Sequence, residues 1–392
     1  MLSGFKQVFN RELIRIKSNK IYILSCVILP LFCIVYMATI LGNGLITNLP
    51  IGVIDQDYSF SSRNIIRNVN SNPSLNIICK LNSIKEAKKA LQEKRIYGFF
   101  IIPKNFEKNA SAFKPTTIPY YFHYALLTAG STVYSELTKT LRTISFAPSL
   151  TKGLALGLDA KSIEFSILPI KPIIHPMSNP SLSYFTYLSS SFVYILIQIL
   201  IILVTIYCFG TEWSKRTTGA LWHLSKHSTL SLIIGKLLPY TIIFFTVYVI
   251  ANSVFLLAIK PSLAASTIIH MNIACFLLVI STQSLGMFIF FIVRNFRIAM
   301  SIGSILGSLG ASLAGITFPV NSMYEPVQIL AKALPVRHFT LIMQNVIYGN
   351  NHAEFVFTEY IILFSYTVLP LLALNIVRKH LNVKPHAQTN EI

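Results

Sequence analysis

Charged residues make up only 12% of the 392 residues, and acidic ones are the scarcest, with 14 Asp and Glu against 33 Lys and Arg. Six apolar runs, at 21–45, 182–209, 237–259, 271–293, 298–318 and 360–377, contain no Asp, Glu, Lys or Arg at all. Ion-coupled carriers usually hold the coupling ion on ionisable groups at mid-membrane, so uncharged runs argue against a sodium- or proton-coupled secondary transporter. Cysteine is sparse too. Cys26, Cys33, Cys79, Cys208 and Cys275 show neither disulfide spacing nor a metal-ligand pair, and only Cys79 lies outside an apolar run. A phosphate-binding Gly-x-x-x-x-Gly-Lys-Ser/Thr loop is missing: the Gly235-Lys236 pair continues into Leu237 without the upstream glycine, which excludes a P-loop ATPase. The formal charge of +19 is spread between apolar runs and one mixed-charge segment, without an aromatic-interleaved basic patch, so nucleic acid is not an expected partner.

What the chain has in excess is apolar surface. Hydrophobic residues reach 53% and mean hydropathy is positive, and each of the six runs is about the length that crosses a bilayer as a helix. The expected fold class is an α-helical polytopic membrane protein of six transmembrane helices, with an α/β extracytoplasmic domain inserted between the first two. Orientation follows from Lys and Arg in the short loops. Lys6, Arg11, Arg15, Lys17 and Lys20 precede the first run; Lys215, Arg216, Lys226 and Lys236 follow the second; Arg294 and Arg297 follow the fourth; Arg378, Lys379 and Lys384 close the chain. The opposite loops hold only Lys260, Lys332 and Arg337. Both termini are therefore expected in the cytoplasm of a bacterial inner membrane.

Residues 1–20 repeat apolar positions at Leu2, Phe5, Val8, Phe9, Leu13 and Ile16 between basic ones, the pattern of an amphipathic elbow helix on the bilayer surface. Residues 46–181 form the external segment. Within it Ile51 to Asp55 reads as a strand, Ser59 caps a helix to about Asn70, a strand follows near Leu75 to Cys79, Ser83 and Glu86 open a second helix, and Tyr97 to Ile102 is a buried strand closed by Pro103. Thr116 to Tyr124 is a further strand and Thr128 to Phe146 a helix, followed by a linker with Pro169, Pro172, Pro176 and Pro180. Alternating strands and helices indicate a small α/β domain. Asp55 and Asp57 fit cap and turn roles better than catalysis, and His223 with His227 has helical spacing but no intervening Glu and no third ligand.

Gly303, Gly307, Ala311 and Gly315 recur every four residues in the fifth run and give it a small-residue face against which another helix can close, in this chain or in a second copy. Trp213, Leu221 and Trp222 supply apolar anchors, and Glu212, Lys215 and Arg216 supply charge, in the basic loop after the second run.

That loop, Gly210-Thr-Glu-Trp-Ser-Lys-Arg-Thr-Thr-Gly-Ala-Leu-Trp, with Gly235-Lys236 at the head of the next run, resembles the type-2 ATP-binding-cassette permeases, in the subgroup with a large external domain that is associated with drug and small-molecule export. Arg11-Glu12, Pro30, the Asp-x-Asp-x-Ser start of the external domain and Gly98 to Pro103 extend the resemblance over nearly the whole chain. It implies a coupling helix at about 211–229 that meets a separate ATPase, with Glu212, Lys215 or Arg216, Gly219, Leu221, Gly235 and Lys236 matching the family pattern and Trp213 and Trp222 added as apolar anchors. It also implies an external re-entrant segment at about 319–356, beginning beside Phe318 and marked by Pro319, Met323 and Pro335, before the last run in 182–377 and a tail at 378–392. The chain itself would bind no cofactor, ATP and Mg sitting on the ATPase. Its partners would be that ATPase, a second or sister permease, a periplasmic adaptor and the bilayer. A relay that passes ATPase motion to the external domain without transport is the remaining alternative. Trp213 and Trp222, where smaller or polar residues are commoner, and Tyr324-Glu325-Pro326, where Met-Pro is frequent, depart from the family pattern.

Overall fold

A computed structural model describes residues 2–42, 44–112, 114, 116–124, 126–155, 183–259, 265–293, 295–348 and 356–370. The chain divides into two compact units, Met1–Gly42 with Pro176–Ile392, and Asn43–His175. The Pro-rich linker expected at 169–180 and the tail at 378–392 lie outside the described residues.

The first unit is helical. An elbow helix, Leu2–Ser18, precedes five helices long and apolar enough to cross a membrane: Lys20–Ile40, Phe185–Ser214, Thr229–Ile259, Ala265–Val293 and Phe296–Leu313. The chain is thus a multi-pass membrane protein. The run expected as a sixth span starts in the short helix Phe357–Ser365 and passes after residue 370 outside the described residues. Ile28, Phe32, Val35 and Ile40 of the first apolar helix are exposed, as side chains are that take lipid for solvent. Its Leu24–Ile28 stretch widens into a π turn just ahead of Pro30, which has no N–H to give the carbonyl one turn back and whose ring crowds that carbonyl in a regular helix. The first span was expected at 21–45, but the helix stops at Ile40, where Gly42 and Gly44 begin a turn.

The bundle core gathers Tyr194, Ile197 and Ile201 of the second apolar helix, Phe244, Tyr248 and Phe255 of the third, and Met271, Cys275 and Leu278 of the fourth. The Tyr194 hydroxyl donates to Asn252 Oδ1 at 2.6 Å, and Asn252 Nδ2 donates to Asn272 Oδ1 at 2.8 Å, so these uncharged polar groups pair inside the bundle. The glycine face of the fifth helix packs within the chain. A Cβ on Gly303 would stand 2.4 Å from Ile206, and one on Gly307 3.1 Å from Ile199, both on the second helix. Ala311 is packed one turn further on.

The fifth helix ends in a turn at Gly315, whose φ of +80° only glycine adopts without strain. Arg337 Nη1 donates to the Ala314 carbonyl at 2.8 Å and closes this end. Phe318 is exposed beside Pro319, Met323 packs against the cluster that includes Leu313, Val320 and Leu334, and two helices follow, Glu325–Lys332 and Pro335–Tyr348. The second of these buries Phe339, Ile342, Met343 and Val346 in the bundle core, and residues 349–355 of the segment expected at about 319–356 lie outside the described residues.

The second unit holds a four-stranded mixed sheet, β1 Leu49–Asp55, β2 Leu75–Lys80, β3 Gly98–Ile102 and β4 Tyr120–Phe122, in the order β2-β1-β3-β4. β1 runs parallel to β2 and β3, and β4 is antiparallel to β3. Every residue of β3 is buried, as its continuous apolar run dictates. Ser59 Oγ accepts from Ser62 N at 3.0 Å to start the helix Phe60–Asn70, and Ser83 Oγ accepts from Glu86 N at 3.2 Å to start Ile84–Gln92. Asp55 takes the backbone N–H groups of Asp57 and Tyr58 into a turn, and Asp57 accepts from Phe106 N and Glu107 N at 3.0 Å each. Both carboxylates are turn and cap residues. The helix Leu127–Ala155 covers the sheet through Ala129, Val133 and Leu137.

Candidate functional site

The most heavily charged interior point of the described residues lies where the elbow helix crosses the bundle. Gly4, Val8, Glu12 and Ile16 follow one another every four residues and are the four buried positions of the elbow's described side chains. Gly235 of the third apolar helix lets them close in, because a Cβ there would stand 3.1 Å from Phe5 O and from Val8 Cβ. Glu12 is thereby carried into the protein with 0% exposure.

An unpaired carboxylate in such a place would be prohibitively costly. Lys236, also 0% exposed, places its Nζ 2.8 Å from Glu12 Oε1 and 3.2 Å from Glu212 Oε1. The Tyr240 hydroxyl donates to Glu12 Oε2 at 3.2 Å. Glu212, 1% exposed at the end of the second apolar helix, receives a bidentate pair from Arg11, Nη1 to Oε1 at 2.9 Å and Nη2 to Oε2 at 3.1 Å. Arg15 and the Thr217 hydroxyl also donate to Glu212. Arg15 lies over the Tyr22 ring at 5.6 Å and Lys236 over the Phe209 ring at 5.7 Å. Burial works to lower the Arg15 pKa, but Tyr22, Glu12 and Glu212 outweigh it and hold the guanidinium above its ordinary value. Two carboxylates and three cations thus tie the elbow to the second and third apolar helices. A buried network of this kind fixes geometry more than it adds stability.

Immediately beyond Glu212 the chain leaves the bundle. Lys215 caps the second helix, Arg216 has a φ of +55°, and the short helix Thr218–Leu224 follows. Leu221 is its buried anchor, packed with Val8 and Leu232. The elbow closes the other end, since a Cβ on Gly4 would meet the Ser225 carbonyl at 2.7 Å. Trp213, Lys215, Arg216 and Gly219 are exposed on this segment, while Trp222 is half-buried against the His227 ring.

Apart from the half-buried Trp222, the residues expected to couple the chain to an ATPase fall into two sets. Glu212, Leu221, Gly235 and Lys236 face inward and position the segment; Trp213, Lys215, Arg216 and Gly219 face outward. Glu12, Arg11 and Arg15 complete the inward set. Arg11-Glu12 stood out in the sequence only by resemblance, although the four-residue stripe Gly4, Val8, Glu12, Ile16 carries the signal.

Gly219 is the most telling of the outward residues. A Cβ there would meet nothing within 4 Å, so packing within the described residues does not require a glycine at this second position of the short helix. Such a surface suits close approach by another molecule. Among the described residues no group of three or more His, Cys, Asp or Glu is arranged to hold a metal ion.

A family model described as ABC-2 family transporter protein matches residues 20–376. The match begins just past the elbow helix and includes the segment from Glu212 to Lys236. Comparison with curated proteins gave no match.

Proposed function

The chain belongs to the ABC-2 family of transporter proteins, and from that premise we propose that it is the permease subunit of an ATP-driven exporter that moves a small, drug-like or lipid-like molecule out of the cytoplasm or inner leaflet. The observation that carries the coupling half of this reading is the outward face of Trp213, Lys215, Arg216 and Gly219, held in place from within by the Glu12–Lys236–Glu212 cluster. A separate ATP-binding-cassette subunit docks there, with Trp213 as apolar anchor, Lys215 and Arg216 as charged contacts and Gly219 as the point of closest approach. Because the elbow, the second helix and the third helix meet in one ion cluster, a push on the short helix moves all three together.

In this arrangement two copies, or one copy and a sister chain, line the pathway, both termini are cytoplasmic in a bacterial inner membrane, and the α/β unit stands outside as a docking point for substrate or a periplasmic adaptor. ATP and Mg belong to the ATPase. The test is reconstitution of the chain with a candidate ATPase in sealed vesicles, following export of a dye substrate. Export that requires ATP hydrolysis and survives collapse of the proton and sodium gradients supports the proposal; export that continues without ATP and stops with the gradients contradicts it.

A further inference from the structure

At the end of the bundle opposite the short helix Thr218–Leu224, a buried histidine is enclosed by acceptors. The fifth apolar helix separates the two ends: a Cβ on Gly210 would meet the Phe296 ring where that helix starts, and the Ala314 carbonyl follows its 18 residues, about 27 Å further on at the helical rise. His338, in the first turn of the helix Pro335–Tyr348, is 5% exposed. Its Nε2 stands 2.7 Å from the Lys332 carbonyl, and its Nδ1 contacts a carboxylate oxygen of Glu359, in the first turn of the helix Phe357–Ser365.

The two contacts count protons. A carbonyl only accepts, so Nε2 carries a hydrogen. Nδ1 would then offer Glu359 nothing but a lone pair, unless one more proton sits on the ring or on the carboxyl. His338 and Glu359 together therefore hold a proton beyond the one on Nε2, whichever of the two carries it. The other charged and titratable groups at this end do not supply it. Arg337 Nη1 and the Thr340 hydroxyl donate to the Ala314 carbonyl at 2.8 and 2.9 Å, and the Arg337 charge also acts on Glu359. Lys332 gives its carbonyl to His338 while its side chain is exposed. On the fourth helix, His270 is met by Tyr360, whose hydroxyl lies 3.3 Å from its carbonyl and 3.5 Å from its Nδ1. Arginine keeps its proton at any working pH. The polar tie from Pro335–Tyr348 to the fifth helix is thus permanent, and the one from His338 to Glu359 depends on an exchangeable proton.

We propose that His338 and Glu359 form a proton-operated latch, closed while the pair holds its shared proton and open once that proton passes to solvent. Imidazole changes charge between about pH 5 and 8, so the latch works near neutrality. Glu359, with its side chain 21% exposed against 6% for His338, is the side from which the proton leaves. Afterwards a lone pair faces a carboxylate with no hydrogen between them, and the contact turns from attractive to repulsive. Arg337 leaves the freed carboxylate one cation to turn to. The inference rests on the exporter reading only for orientation, in which this end faces outside and the latch reads external pH. Its test needs no ATPase, so a chain that binds none would contradict the exporter reading without touching this result.

The test is hydrogen exchange of the detergent-purified full chain at about pH 5.5 and about pH 8, corrected for the intrinsic pH dependence of exchange and read on the helix Pro335–Tyr348. Wild-type protection is expected to fall about ten- to hundredfold between the two, as loss of a hydrogen bond between charged groups entails. Glu359→Gln is expected to stay protected at both, because its amide accepts from the charged ring and donates to the neutral one. His338→Gln cannot take up the proton and should show the same protection at both; it carries the comparison alone if Glu359→Gln does not fold. Equal wild-type protection at the two pH values overturns the latch. So does a fall that persists undiminished in either variant, which would place the titrating group elsewhere, such as at His270.

Discussion

The Lys236 ammonium and the Glu12 carboxylate meet at 2.8 Å with both side chains fully buried, joining the third apolar helix to the elbow across 224 residues of chain. Glu212 shares the same ammonium at 3.2 Å. The three residues lock the root of the short helix Thr218–Leu224.

Removing one member of this lock takes a buried partner's counter-charge out of an interior site. Glu12→Gln and Lys236→Met are each expected to destabilise the chain by about 3–5 kcal/mol. The combined variant should lose markedly less than the sum, because the two changes remove a shared interaction. Unfolding midpoints of the four proteins in one detergent give the coupling directly, and simple additivity would mean that the two groups act independently.

Gly210 and Gly219 are expected to respond in opposite ways to the same change. A Cβ at Gly210 would stand 2.0 to 2.7 Å from three atoms of the Phe296 ring, so Gly210→Ala must displace that ring and should cost about 1–3 kcal/mol. Gly219→Ala meets open space and should leave stability unchanged or raise it by up to about 1 kcal/mol. Thermal unfolding of the two variants side by side decides the matter.

In the α/β unit, burial tends to raise the Asp57 pKa, but hydrogen bonds from Ser59 and from the backbone of Glu107, Phe106 and Asn105 prevail and hold its carboxyl below the usual range. A carboxyl with a depressed folded-state pKa stabilises the fold above its unfolded value of about 3.9, and that contribution is lost as pH falls through the lower folded value. Asp57→Asn should therefore narrow its stability deficit against wild type as pH falls from 6 towards 3, followed by hydrogen exchange in the helix Phe106–Ser111. A deficit that stays constant over that range would show that the charge of Asp57 contributes nothing.

Much of the architecture was legible because its signals are local. Ser59 and Ser83 cap helices through bonds to residues three positions on, and the unbroken apolar run at Gly98–Ile102 gives a fully buried strand. The ion cluster was not legible in the same way. A hydropathy reading ends the second run at Phe209 and starts the third at Leu237 because Glu212 and Lys236 are charged, yet both helices continue through them. The charge that cuts a hydropathy window is neutralised by a partner about two hundred residues away, and no single window contains both. The elbow shows the same limit: its buried stripe includes a glycine and a glutamate, residues that an apolar template passes over. For the fifth helix, spacing gave a small-residue face but left its partner open, and the side chains of Ile199, Ile202 and Ile206 place that partner within the chain.

The division of labour between inward and outward residues is tested most directly by capture of a candidate ATP-binding-cassette ATPase on the immobilised, detergent-solubilised chain. Wild type is compared with Gly219→Trp and with the double variant Lys215→Glu, Arg216→Glu, each checked for an unchanged unfolding midpoint. The account predicts that wild type retains the ATPase and that both outward-face variants lose it while remaining folded. Undiminished capture by folded variants would contradict it and move the docking surface elsewhere on the chain.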